Sequence, residues 1–285
     1  MKMPKRIQPL YEDGLVDEVT RQLMSGKEAS VYIVRCGDKI RCAKVYKEAA
    51  KRSFKKASQY REGRKVKNSR RARAMERGSK FGRDQQEETW QSAEVDALYR
   101  LERAGVRVPE PYGCFDGVLL MELVTDHEGN VAPRLSDVAL TEEQALEDHA
   151  TVIGFVIRML CAGIIHGDLS EFNILVDGYG PVIIDLPQAI DASANNHAQW
   201  MLERDVDKIT QYYAQYAPQL LELPFAKEMW ALYEDGELHP ETRLTGIFEE
   251  NTDEADVDGV MLEIKAVLAE EQSRQERAKE AQDFD

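Results

Sequence analysis

The sequence predicts an α+β protein in two parts, a small antiparallel sheet followed by a mainly helical region. Three observations carry that expectation. β-branched and polar residues alternate between Val16 and Tyr46, a strand-like text returns in residues 108–124, and a long helical run after Thr141 becomes apolar nearly all round. Between that run and the later helices lies "IIHGDLSEFNILVDGYGPVIIDLPQ", Ile164 to Gln188, which puts two aspartates, an asparagine and a histidine on short loops between apolar segments.

Each element has its own signal. "VDEVTRQLMSGKEASVYIVRCGDKIRCAKVYK" predicts three antiparallel strands with "CGDK" as a turn. "DQQEETWQSAEVDALYRLERAG" sets Trp90, Val95, Leu98 and Leu101 on one helical side and stops at Gly105, as helices commonly do. "VPEPYGCFDGVLLMELV" predicts two more strands turning at Asp116-Gly117. Thr141 and Gln144 form a capping box at the head of the apolar helix. Strands "NILVD" and "PVIID" follow, turning at Gly178, then helices over residues 197–216, 225–235 and 257–268. The expected division is 1–124 for the sheet-bearing part, 125–268 for the helical part, and 269–285 for a solvated tail.

Composition limits the function classes. A chain of 285 residues with 43% hydrophobic content can bury one large core or two modest ones. The longest apolar run, Val152 to Ile165, is broken by Arg158 and falls short of the ~20 residues that cross a bilayer. The opening "MKMPKRIQPLYEDG" lacks the apolar core of a secretion signal, so the expectation is a cytoplasmic protein with no membrane partner. Cys36, Cys42, Cys114 and Cys161 show no C-x-x-C spacing and are expected to be reduced thiols without a site role.

The net charge of −15 conceals an asymmetry. Sixteen Lys or Arg face three acids between Lys44 and Arg83, a local excess of +13, which leaves about −28 on the rest. Residues 47–83 are few in apolar side chains and carry no sustained stripe, so they form a basic insertion. The plain alternative is a solvated loop; the functional one is a footprint for RNA or a ribosomal particle. Ser53, Ser58, Ser69 and Ser79 within it are candidate phosphate acceptors.

The acceptor-rich stretch carries chemistry. Asp168, Asn173 five residues on, and Asp185 after the next strand are hard oxygen groups brought together by one hairpin, which suits Mg²⁺ held with substrate phosphates. Such a set serves phosphoryl transfer, one aspartate orienting the attacking hydroxyl while the other groups hold the metal. "MSGKEASV", on the turn between the first two strands, matches a relaxed phosphate-loop pattern. Lys44, thirteen residues after Val31, ends a strand where a phosphate-gripping lysine belongs, and Glu94 is its natural partner.

"SGKEASVY", "HGDLSEFNIL" and "IIDLPQAI" resemble the RIO family of atypical protein kinases, in style its RIO1-like and bacterial members, from about Val16 to Tyr216. The resemblance implies a two-lobed kinase-like fold with ATP between the lobes, Mg²⁺ (or Mn²⁺) as metal, and transfer to a Ser/Thr hydroxyl, with autophosphorylation expected, or ATPase turnover. Asp168 is then the base, Asn173 and Asp185 the metal ligands, and Lys44 with Glu94 the phosphate clamp. Ser25, Gly26, Lys27, Glu28, Ala29 and Ser30 form the phosphate loop. Met121 becomes the gatekeeper, the carbonyl of Glu122 and amide of Val124 hold adenine, and Val31, Ala43, Leu175 and Ile184 sandwich it.

Departures from ordinary protein kinases are equally specific. Ser170 stands where they carry a lysine, so one cation is missing and only a hydrogen bond can replace it. No D-F-G or A-P-E occurs, and only about a dozen residues separate Asp185 from the next helix, too few for an activation loop. With 15 residues before the first strand, the winged helix of the family's RIO2 branch is not expected in this sequence. Two other readings compete: a small-molecule phosphotransferase of the aminoglycoside-kinase kind, which usually reads H-P-x-N after its aspartate, and a nucleic-acid-binding module with a dead nucleotide pocket.

Overall fold

The first three predicted strands form in the computed structural model, which describes residues 3–26, 29–47 and 93–249. A short helix the sequence does not announce, α1 (Gln8–Glu12), precedes β1 (Glu18–Ser25), β2 (Ala29–Cys36) and β3 (Lys39–Tyr46). Apart from Lys47, the basic insertion lies outside the described residues, as do Lys27, Glu28, Trp90, the helix expected over 257–268 and the tail. Helix α2 is described over residues 93–103 and ends at Gly105, whose φ of 74° is the left-handed conformation that closes helices.

Strands β4 (Pro111–Phe115) and β5 (Val118–Glu122) complete an antiparallel sheet ordered β1-β2-β3-β5-β4. Their turn has positive φ at both Asp116 (47°) and Gly117 (77°), the backbone a two-residue hairpin turn demands. The period of two then sorts side chains. Ala43, Val45, Val118 and Leu120 pack with Ile7, Leu10 and Val16, so α1 covers one face of the sheet. Tyr46 and Leu119 join the other core, with Leu98 and Leu101 of α2.

Helix α3 (Glu142–Cys161) opens on the predicted capping box. Thr141 Oγ1 accepts from the Gln144 amide at 3.2 Å, and Gln144 Oε1 accepts from the Thr141 amide at 2.9 Å. Such a cap is worth roughly 1 kcal/mol. Beyond it, β6 (Ile164–Ile165) pairs with β9 (Ile190–Asp191), enclosing the hairpin of β7 (Ile174–Asp177) and β8 (Gly180–Ile183). Helices α4 (Ala198–Tyr213) and α5 (Phe225–Glu234) follow and share the larger core with α3. The described residues up to Phe248 belong to one compact unit; residues 249–285 are assigned to a second, of which Glu249 alone is described.

His149 of α3 is 1% exposed, bonded through Nε2 to Thr210 Oγ1 at 3.0 Å and stacked on Phe225. Burial lowers its pKa from 6.5 to about 4. As pH falls through that window the unfolded chain takes up the proton first, so stability is whole above about 6.5 and is lost toward 4. Chemical denaturation at pH 7 and pH 5 should show this group costing about 2 kcal/mol at the lower pH. A His149→Gln variant should lose that part of the pH dependence; an unchanged slope would mean that His149 titrates normally.

Candidate active site

The alternation of β3 aims Cys42, Lys44 and Tyr46 away from α1. All three line a cavity of about 700 Å³. Lys44 is 8% exposed, and burial alone would lower its pKa; Glu94 and Asp185 outweigh that and raise it. Lys44 Nζ lies 2.6 Å from Glu94 Oε1 and 2.7 Å from Asp185 Oδ1. Tyr46 donates its hydroxyl to Glu94 Oε2 at 2.5 Å, and burial first, then Glu94, keeps that phenol protonated. A buried ammonium without such partners would cost several kcal/mol.

The hairpin converges on the same point. Burial would raise the Asp185 carboxyl, but the Lys44 ammonium holds it below the usual carboxylate range. Asp185 has φ 65°, a left-handed conformation that costs an L-residue roughly 1 kcal/mol or more and turns its side chain to Lys44. Its neighbour Ile184 donates its amide to Asn173 O at 3.0 Å, and the Ile184 carbonyl accepts from His166 Nε2 at 3.0 Å. Asn173 Nδ2 donates to Asp168 O at 2.8 Å, which leaves the amide oxygen of Asn173 as its acceptor. Backbone and side chain therefore tie Asp168, Asn173 and Asp185 into one unit.

Helix α4 holds the loop from behind. Asp205 accepts the Gly167 amide at 2.7 Å, Arg204 donates to the Gly167 carbonyl, and Lys208 Nζ stands 3.4 Å from Asp168 Oδ1. Burial pushes Asp205 up, against the opposing pull of His166 and Arg204. Asp205 had a sequence signal: with Met201, Leu202, Val206 and Ile209 it sits on the apolar stripe of its helix, where a carboxylate needs partners. Lys208 had none.

The remaining predicted residues fall as follows. Gly26, Ala29, Val31, Met121, Glu122, Val124, Leu175 and Ile184 line the cavity together with Lys44, Asn173 and Asp185. Ser25 and Ser30 meet through their hydroxyls at 3.1 Å across the loop, and Lys47 reaches Ser25 Oγ at 3.1 Å. Ser170 caps the short turn Glu171–Asn173 with extended backbone, its carbonyl accepting from Asn173 N. Ala43 requires correction: it is buried in the core against α1 and does not line the cavity, where Cys42 takes its place. The reason is the strand period, since Lys44 facing the cavity sends residue 43 to the opposite face.

Arg107 also escaped the sequence. Its guanidinium grips both oxygens of Glu122 at 2.7 Å and Asp177 Oδ2 at 2.9 Å, joining the end of β5 to the end of β7. The Glu122 carboxyl, raised by burial, is held down overall by that fork. Arg134 lines the cavity too, touching Met24 Sδ at 3.8 Å.

A five-stranded sheet with one helix, a mainly helical second part and this cavity place the molecule in the protein-kinase-like fold class. A RIO-domain family model matches residues 30–225. The chain is 33% identical to the RIO-type serine/threonine-protein kinase Rio1 of Haloferax volcanii over 210 residues, 73% of this chain and 67% of that protein. It is 30% identical to the human serine/threonine-protein kinase RIO1 over 206 residues, 72% of this chain but 34% of that one. A Chaetomium thermophilum Rio2 kinase structure, an ADP/Mg²⁺-phosphoaspartate complex, shares the fold at TM-score 0.53 and 22% identity, covering 75% of this chain and 60% of its own. The chain belongs to the RIO family.

Tyr46→Phe should leave a buried Glu94 oxygen without its donor and destabilise the protein by about 1 to 3 kcal/mol. Urea denaturation monitored by tryptophan fluorescence measures this; a variant as stable as the parent would show that the Tyr46 hydroxyl does not hold Glu94.

Proposed function

We propose that this chain is an ATP- and Mg²⁺-dependent serine/threonine kinase of the RIO type. The observation that carries the proposal is Lys44 bridging Glu94 and Asp185 at the wall of a cavity large enough for a nucleotide. Family membership favours protein phosphorylation over the small-molecule alternative, and the names of the relatives point the same way.

Lys44 would hold nucleotide phosphates in place of part of its carboxylate contact. Asp185 and Asn173 fit Mg²⁺: one offers a half-exposed carboxylate, the other an amide oxygen, and both line the cavity. Among the described residues no three His, Cys, Asp or Glu side chains gather as a metal site, so phosphate and water oxygens would complete the shell. Bound there, the metal would neutralise phosphate charge. Asp168 takes the proton of the acceptor hydroxyl as its oxygen bonds to the γ-phosphorus, the bond to the β-phosphate oxygen breaks, and ADP leaves. Val31 and Leu175 would sandwich adenine, with Glu122 and Val124 supplying backbone contacts and Met121 the gatekeeper.

Asp168→Ala should abolish transfer of label from ATP while nucleotide binding stays near wild type, because the base acts on the acceptor. Lys44→Met should instead weaken ATP affinity about 10- to 100-fold, the loss of a charge-assisted contact. Isothermal titration and a label-transfer assay read the two; full activity in Asp168→Ala ends the assignment. Label found on Asp185 as a base-labile adduct, with none on Ser53, Ser58, Ser69 or Ser79, would favour an ATPase switch.

The reading extends to a cytoplasmic protein that meets RNA or a ribosomal particle through residues 47–83. What supports it is charge: +13 within residues 44–83 of an otherwise acidic chain. Among the described residues no helix is long and apolar enough to cross a membrane. Affinity for RNA measured against salt should fall with a log-log slope of several units. Neutralising five arginines between Arg61 and Arg77 should flatten the slope and spare ATP turnover; no salt-dependent binding at low ionic strength removes the RNA partner.

A further inference from the structure

We propose that Lys208 supplies the cation of the catalytic loop: from helix α4 it holds Asp168 in place and counters negative charge on the phosphoryl group in transfer. The inference rests on the kinase reading above and deepens it. Its basis is geometric. Lys208 Nζ stands 3.4 Å from Asp168 Oδ1, and the two side chains are 40% and 43% exposed, open enough to admit a substrate.

Placement of this ammonium is set by its helix, not by chance contact of two mobile chains. Arg204 and Asp205, one turn earlier on α4, clasp the carbonyl and amide of Gly167, the residue before Asp168. Residues four apart share a helix face, so pinning Arg204 against the loop aims Lys208 at the next residue of that loop. Ser170 carries no charge there, and Lys44 is engaged by Glu94 and Asp185.

A base must lie about 2.6 to 3.2 Å from the hydroxyl it deprotonates, and that oxygen must lie about 3 to 3.5 Å from phosphorus. A cation beside the base therefore stands within one further contact of the transferring group. Its flexible four-carbon stem allows the ammonium to follow the charge as it moves. The competing explanation is a surface ion pair, which contributes little to stability and nothing to rate.

Steady-state kinetics of the full chain separate the two. Lys208→Met should lower kcat about 10- to 100-fold while the KM for ATP and the melting temperature stay near wild type. Lys208→Arg should retain most of the rate. Adding Ser170→Lys to Lys208→Met should restore part of it, since it brings a cation to the same loop two residues after Asp168. Wild-type kcat in Lys208→Met, with Asp168→Asn inactive in parallel, overturns this proposal and leaves the kinase reading intact. A lower kcat with a lowered melting temperature and no recovery by either rescue also overturns it, as the residue would then be structural. No turnover by wild-type protein overturns both.

Discussion

The ammonium of Lys44 sits between two carboxylates that reach it from other elements, 50 and 141 positions along the chain. No short-range propensity builds such a contact. It needs β3 registered so that residue 44 faces the cavity, α2 packed so that Glu94 arrives beneath it, and the hairpin folded so that Asp185 turns back in a left-handed conformation. An error in any of the three leaves a charge in a place where charge is costly. Lys44 and Glu94 are both buried, and that burial makes the pairing necessary.

The second support is polar and lies on the far side of the hairpin. Asp205 turns one oxygen of its buried carboxylate to the backbone amide of Gly167, at φ 82°, and the other to Arg204 at 3.0 Å. A glycine there tolerates the conformation, and the carboxylate fixes it. Because Asn173 bonds to Asp168 and Ile184 to Asn173, rigidity set at Gly167 passes through two hydrogen bonds to the residue before Asp185. The α4 contacts and the Lys44 contacts thus clamp opposite ends of one short unit.

How much of this was legible depended on range. The strands, the turn at Asp116-Gly117, the capping box and the hairpin carry their signals within a few residues, and the described elements fall where those signals lie. Helix α1 has five residues, too few for a period to register. Ala43 was a lapse of parity: once Lys44 is assigned to the cavity, alternation alone sends residue 43 behind the sheet. The Arg107 fork, at separations of 15 and 70, and Lys208, 40 residues from Asp168, have no local signature, since nothing near either residue says which distant carboxylate will meet it.

The segment between Asp185 and α4 limits how an acceptor can be held. It is only twelve residues, and they are largely committed: Leu186 is buried, Ile190 pairs with Ile165 in the β6–β9 ladder, and Ala192 donates to Gly163. A peptide platform needs a stretch of backbone whose donors and acceptors are available to the substrate, and this stretch spends several of them on the fold. Selection of a protein acceptor by strand-like docking at this segment is therefore disfavoured on hydrogen-bond grounds. Positive charge in the chain is concentrated in residues 47–83, between β3 and the helix that carries Glu94. Along the chain that segment lies between Lys44 and Glu94, so the two partners of the buried ion pair flank it on either side.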